Sequence, residues 1–105
     1  IQLFIVSWLR RQGILFAADQ NAGRRSRRDG ARRKALGMAA GEPDLRIYLE
    51  SARTIFVELK TSRGRVSPAQ KDRLKALRDL GFVAVVVAAA CPGDGLKQVK
   101  AVLDG

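Results

Sequence analysis

The sequence contains no histidine. That excludes zinc sites built on imidazole, Ser-His-Asp triads and His general bases. Any hydrolysis falls to carboxylates, lysine, or a metal held by oxygen ligands. A single cysteine, Cys91, excludes an internal disulfide and fits an intracellular protein. Cys91 follows an apolar run and is expected to be a small buried residue. Aromatics are scarce. Trp8 and Tyr48 are too few to build a platform for stacking single-stranded bases, and Trp8 is read as core. The longest apolar run, Phe82 to Cys91, has ten residues. It is about half a membrane span, and its β-branched middle reads as a buried strand, so no membrane partner is expected. No basic residue precedes the opening Ile1-Gln2-Leu3-Phe4, which is therefore not read as a signal peptide. Without an initiator Met, the chain is expected to begin downstream of its natural start. The phosphate-binding pattern G-x-x-x-x-G-K-[ST] is missing, so no nucleotide cofactor is expected.

Acidic residues are few: ten Asp and Glu face twenty Lys and Arg, a formal charge of +10 over 105 residues. Apolar residues make up 47%. That suits one folded domain, residues 1–105, and is too high for a disordered basic tail. A folded domain this basic points to a polyanion, with a merely soluble basic protein as the alternative. Seven cations fall in the eleven residues from Arg24 to Lys34. Residues 19–34 read as a basic loop or arm, exposed over 19–30 and forming a short helix over 31–36. Arg24, Arg25, Arg27, Arg28 and Lys34, with Arg65 and Lys71, are the candidates for phosphate contact.

Apolar spacing predicts a helix over 1–12 that ends before Gly13, then a short strand over 14–18. Residues 44–50 and 54–60 both alternate with period two and form a hairpin. Ser67-Pro68-Ala69-Gln70 is a helix start, with a capping Ser, Pro at the first helical position and Gln three residues after the cap. That helix runs to Leu80. A buried strand over 82–88, a turn over 92–95 and a last helix from Leu96 follow. The order is that of an α/β or α+β sandwich around a mixed sheet.

Glu58 and Lys60 share one face of the second hairpin strand with Thr54 and Phe56. Alone, the pair describes the solvated face of an edge strand. A three-residue turn at 51–53 puts Asp44 opposite Lys60 and gathers Asp44, Glu58 and Lys60 at one end of the hairpin. Two carboxylates this close repel unless a cation lies between them. Oxygen ligands suit Mg²⁺ or Mn²⁺, which can polarise a phosphoryl oxygen and stabilise a leaving oxygen. Lys60 can orient water or neutralise charge on phosphate.

Pro43-Asp44, thirteen residues and Glu58-Leu59-Lys60 resemble the PD-(D/E)xK nuclease pattern. More of the chain is similar to one branch, the VRR-NUC domain. The likeness rests on Asn21, Gly23 and Arg24, Lys34-Ala35-Leu36-Gly37 and Gly41-Glu42-Pro43-Asp44-Leu45. It continues through Glu58-Leu59-Lys60-Thr61, Gly64-Arg65-Val66-Ser67, Gln70-Lys71 and residues 77–81. The resemblance implies a restriction-endonuclease-like mixed sheet flanked by helices, and a metal-dependent DNA endonuclease of the small viral or prophage type that acts on branched DNA inside the host cell. It implies Asp44, Glu58 and the Leu59 carbonyl as ligands of Mg²⁺ or Mn²⁺, Lys60 as the catalytic lysine and Gln70 as the supporting glutamine. Gln70 is equally the fourth residue of the capping box, and the two roles are compatible. Many members carry a Glu on the first helix. Here residues 1–12 hold no acid, so that Glu lies upstream of Ile1 or is missing. A homodimer is expected, because symmetric cutting of a four-way junction needs two sites. Ile1, Phe4, Ile5, Trp8 and Leu9 offer apolar surface for it. The alternatives are a non-catalytic DNA-binding module and a ribonuclease of similar fold.

Overall fold

A computed structural model describes residues 1–19, 27–37 and 39–105, with only the backbone for 27–29. The candidate phosphate contacts Arg24 and Arg25, and the side chains of Arg27 and Arg28, lie outside the described residues. The elements are α1 (Gln2–Arg11), β1 (Leu15–Ala18), α2 (Arg27–Ala35), β2 (Leu45–Tyr48), β3 (Thr54–Thr61), α3 (Pro68–Asp79), β4 (Val83–Ala89) and α4 (Pro92–Asp104).

The four strands form one sheet in the order β1-β2-β3-β4. The pairs β1–β2 and β2–β3 are antiparallel, and β4 runs parallel to β3. A parallel pair needs a crossover, and α3 supplies it. Odd-numbered residues of β3 point to one face, where Ile55 and Val57 meet Ile5, Leu9, Leu45, Ile47, Leu96 and Val99 from α1, β2 and α4. Even-numbered residues point to the other face, where Phe56 and Ala84 meet Leu74 and Leu77 of α3. The result is a mixed sheet with helices on both faces.

Several sequence expectations are corrected. The hairpin joins Leu45 to Val57 and Tyr48 to Thr54, so its register differs by two residues from the expected one. Ser51 and Ala52 both adopt positive φ (61° and 60°), and the Leu49 amide donates to the Arg53 carbonyl at 2.8 Å. The reversal is therefore tighter than three residues at 51–53, and neither Ser nor Ala announces positive φ as Gly or Asn does. The helix expected over 31–36 begins at Arg27. Pro92 opens α4 rather than a turn, because proline fits the first helical turn. Cys91 is exposed, not buried: it sits at the N-cap of α4, past the end of β4. Ile5 and Leu9 of the first helix are consumed by the chain's own core, with Ile1 and Trp8 packed against it, while Leu3 and Phe4 stay exposed.

Candidate active site

Pro43 cannot continue a ladder, and β2 begins only at Leu45. Asp44 therefore stands just beyond the last pair, next to Leu45↔Val57, in the row of Glu58. Its freed carboxylate takes over a backbone role: Oδ2 accepts the Leu59 amide at 2.7 Å. An extended residue sends its N–H and C=O to the same edge, so the Leu59 carbonyl leaves the strand on the Asp44 side. Asp44, Glu58 and the Leu59 carbonyl thus converge where β2 and β3 part. The two-residue register change puts Glu58, not Lys60, across from Asp44. Lys60 lies two residues further along the same face, half-buried, opposite Ala88 of β4.

Glu58 is the one charged side chain sunk in the protein among the described residues, at 2% exposure. Its Oε2 has no hydrogen-bond partner. Burial is the first cause that pushes its carboxyl up, to about 8; the hydrogen bond with Asp44 and the Asp44 charge add to this. Lys60 pulls it down in part, and Asp19 raises it. Unpaired buried carboxylates are costly to ionise. A divalent cation between Asp44 and Glu58 would replace the shared proton and satisfy Oε2.

Asp19 was not anticipated from sequence. Ala18 pairs with Leu45, and the Asp19 amide donates to the Asp44 carbonyl at 2.8 Å, one step further along. Asp19, Asp44 and Glu58 therefore form one row across β1, β2 and β3. The signal was available: β1 alternates too, and extending its register reaches Asp19. Among the described residues no group of three or more His, Cys, Asp or Glu side chains is placed to hold a metal ion by itself. Two carboxylates and a carbonyl suit a hard cation that keeps several waters.

Gln70 sits at the start of α3. Its Oε1 accepts the Ser67 amide at 2.9 Å, and its own amide donates to Ser67 Oγ at 3.2 Å. The capping box is formed, and no described hydrogen bond joins Gln70 to the carboxylates. Gly41 ties this helix start to the Asp44 segment. At φ +76°, a Cβ there would lie 2.5 Å from the Ala69 carbonyl oxygen and 2.8 Å from the Gln70 nitrogen. Backbone cannot yield as a side-chain tip can. Gly41→Ala is therefore expected to destabilise the fold by at least about 2 kcal/mol, read from chemical denaturation. Lys34, Arg65 and Lys71 are exposed, as phosphate-binding cations would be, and lie on α2, the β3–α3 loop and α3.

A family model for the VRR-NUC domain matches residues 4–90. The chain belongs to the VRR-NUC family. VRR-NUC domains are nuclease-type domains acting on DNA, and the family generally uses divalent metals. Two solved structures share the fold. One, described as a VRR_NUC domain protein, superposes with a TM-score of 0.72 at 24% identity, covering 94% of this chain and 81% of its own. The other, described as a VRR_NUC domain, gives 0.63 at 21% identity, covering 98% and 89%. No curated protein matches the chain. No helix among the described residues is long and apolar enough to cross a membrane.

Proposed function

We propose that this VRR-NUC domain is a Mg²⁺- or Mn²⁺-dependent DNA endonuclease selective for branched DNA, four-way junctions foremost, acting inside the cell as a homodimer. The observation that carries the metal site is Glu58: a buried carboxylate with an unpartnered oxygen, across from Asp44 in a nuclease-type domain. Asp44, Glu58 and the Leu59 carbonyl are the residues to hold the cation. When bound, the metal supplies Lewis-acid polarisation of the phosphoryl oxygen and a lowered pKa for the attacking water.

The remaining roles fall to the chain itself. Asp44 and Glu58, once ionised, bring negative charge that fixes the cation and leaves its outer side to substrate. Lys60 brings a positive charge to the same face, where it can orient water and offset charge building on the phosphate. Gln70 holds the first turn of α3 against the Gly41 segment and so steadies Asp44. The basic stretch 24–34, with Arg65 and Lys71, supplies phosphate contacts independent of base sequence.

Lys60→Ala is expected to lower turnover by about a hundred-fold or more while metal affinity stays near wild type, because lysine is a charge partner and not a ligand. Single-turnover cleavage and metal titration separate the two. The substrate is tested with labelled linear, flap and four-way DNA and a matching RNA, each with Mg²⁺, Mn²⁺ and EDTA. Paired nicks in the four-way junction, dependent on metal, support the reading. Equal cutting of all shapes, or preferred cutting of RNA, contradicts it. Light scattering tests assembly: a mass of one chain, 11.5 kDa, across micromolar concentrations rejects the dimer.

A further inference from the structure

Among the described residues, α3 covers only part of its face of the sheet. Leu74 and Leu77 lie over Phe56 and Ala84, on β3 and β4. Towards β2 and β1 the same face opens into a groove of about 530 Å³. That volume is within the range of sites that take small ligands or one nucleotide. Asp19 and Glu42 line one end, beside the carboxylate row, and Tyr48 and Phe82 line the other. Two arginines lie between them, and they differ. Arg73 is matched: its Nε donates to Glu42 Oε2 at 2.7 Å. Arg46 is not: its Nε is shielded from solvent and has no hydrogen-bond partner.

Arg46 is half-buried and lines the groove, and a guanidinium keeps its charge, so its unmatched donors are suited to an oxyanion entering there. Arg46 is two residues from Asp44 on β2. Its side chain leaves the same face, about 7 Å along the strand. An oxyanion in the groove at Arg46 is therefore the neighbour of a group held at the Asp44–Glu58 pair. The chemistry that puts two oxyanions in succession is a polynucleotide backbone. Arginine's planar fork suits the two non-bridging oxygens of a phosphodiester. The Phe82 ring is held edge-on to Phe56, centroids 5.3 Å apart, so the far end presents a fixed apolar wall to the attached sugar or base.

We propose that this groove seats the nucleotide next to the bond to be cut, with Arg46 binding the phosphodiester that flanks the scissile one. The inference rests on the nuclease reading of the Asp44–Glu58 pair, and binding measured without metal separates the two. The probe is a labelled four-way junction, with a plain duplex beside it. Kd and its salt dependence are measured in EDTA, where nothing is cut. KM and kcat are measured in Mg²⁺, and Mn²⁺ affinity on protein alone. For Arg46→Gln, Kd and KM are expected to rise about ten-fold or more, with kcat within about three-fold of wild type. The slope of log K against log salt should flatten by about 0.7–0.9, one phosphate contact. Mn²⁺ affinity should not change. The melting temperature should change little, since the Arg46 Nε gives up no hydrogen bond within the protein, and Arg46→Lys should recover part of the binding. Wild-type Kd, KM and salt slope in Arg46→Gln overturn the proposal, as does a loss confined to kcat and Mn²⁺ affinity. Weakened binding by Arg46→Gln in a wild type that never cuts would uphold the phosphate contact and overturn the nuclease reading instead.

Discussion

Glu58→Gln is expected to be inactive and, without metal, more stable than wild type. Turnover should fall by more than about a thousand-fold, because a neutral amide would not hold a divalent cation against Asp44. Asp44→Asn should lose as much for the same reason. The stability change follows from the raised carboxyl. Its folded value, about 8, lies above the ordinary 4.5. Between those two values the folded chain keeps a proton that the unfolded chain releases. Metal-free wild type therefore loses stability as pH rises through this window, and above pH 8 the loss is complete. Glutamine carries no proton to lose and can still donate to Asp44. At pH 8 the variant should be more stable by a few kcal/mol, on the order of the linkage for a buried group. Thermal melts from pH 5 to pH 9 with EDTA read this directly. Parallel pH profiles for the two proteins would show that Glu58 is not the strained group.

Metal binding itself should be strongly pH-dependent. A cation held at the pair would displace the proton shared between Glu58 and Asp44, so metal affinity should rise about ten-fold per pH unit below pH 8 and level off above it. Calorimetry at pH 7 in two buffers of different ionisation enthalpy should find close to one proton released per metal. In Glu58→Gln the pH dependence should vanish with the affinity. A flat affinity from pH 6 to pH 8 in wild type would mean that the cation does not meet Glu58.

Much of the site was legible because it sits in regular structure. The period-two alternation of 44–50 and 54–60 put Asp44, Glu58 and Lys60 on one face, and that face survived the register correction because the shift was two residues rather than one. The capping box at Ser67 and Gln70 was equally plain, since it is a contact within four residues. What escaped depended on contacts between distant segments or on unusual backbone. The positive-φ pair Ser51–Ala52 carries no side-chain signature, so the hairpin was paired two residues out and Asp44 faced the wrong partner. Asp19 reads as a lone acid after a short apolar run. Only the β1–β2 register, continued by the Asp19 amide on the Asp44 carbonyl, brings it into the carboxylate row. Arg46 looked like one more cation among twenty. Its meaning lies in its place: it lines the groove beside α3 with an Nε that no protein group meets. The Glu42–Arg73 pair, thirty-one residues apart, has no local signal at all. Cys91 is exposed although it closes the apolar run, because β4 ends two residues before it, at Ala89.

If Asp44 and Glu58 hold the divalent cation on which cleavage depends, activity leaves and returns with the metal. Metal add-back tests this. Wild type and Asp44→Asn are stripped with chelator, mixed with a labelled four-way junction, and followed after Mg²⁺ or Mn²⁺ is restored. The expected result is no cleavage by the stripped wild type, paired cleavage once metal is added, and none from Asp44→Asn although it still binds the DNA. Cleavage by stripped wild type, or cleavage by Asp44→Asn at the wild-type rate once metal is restored, would contradict it.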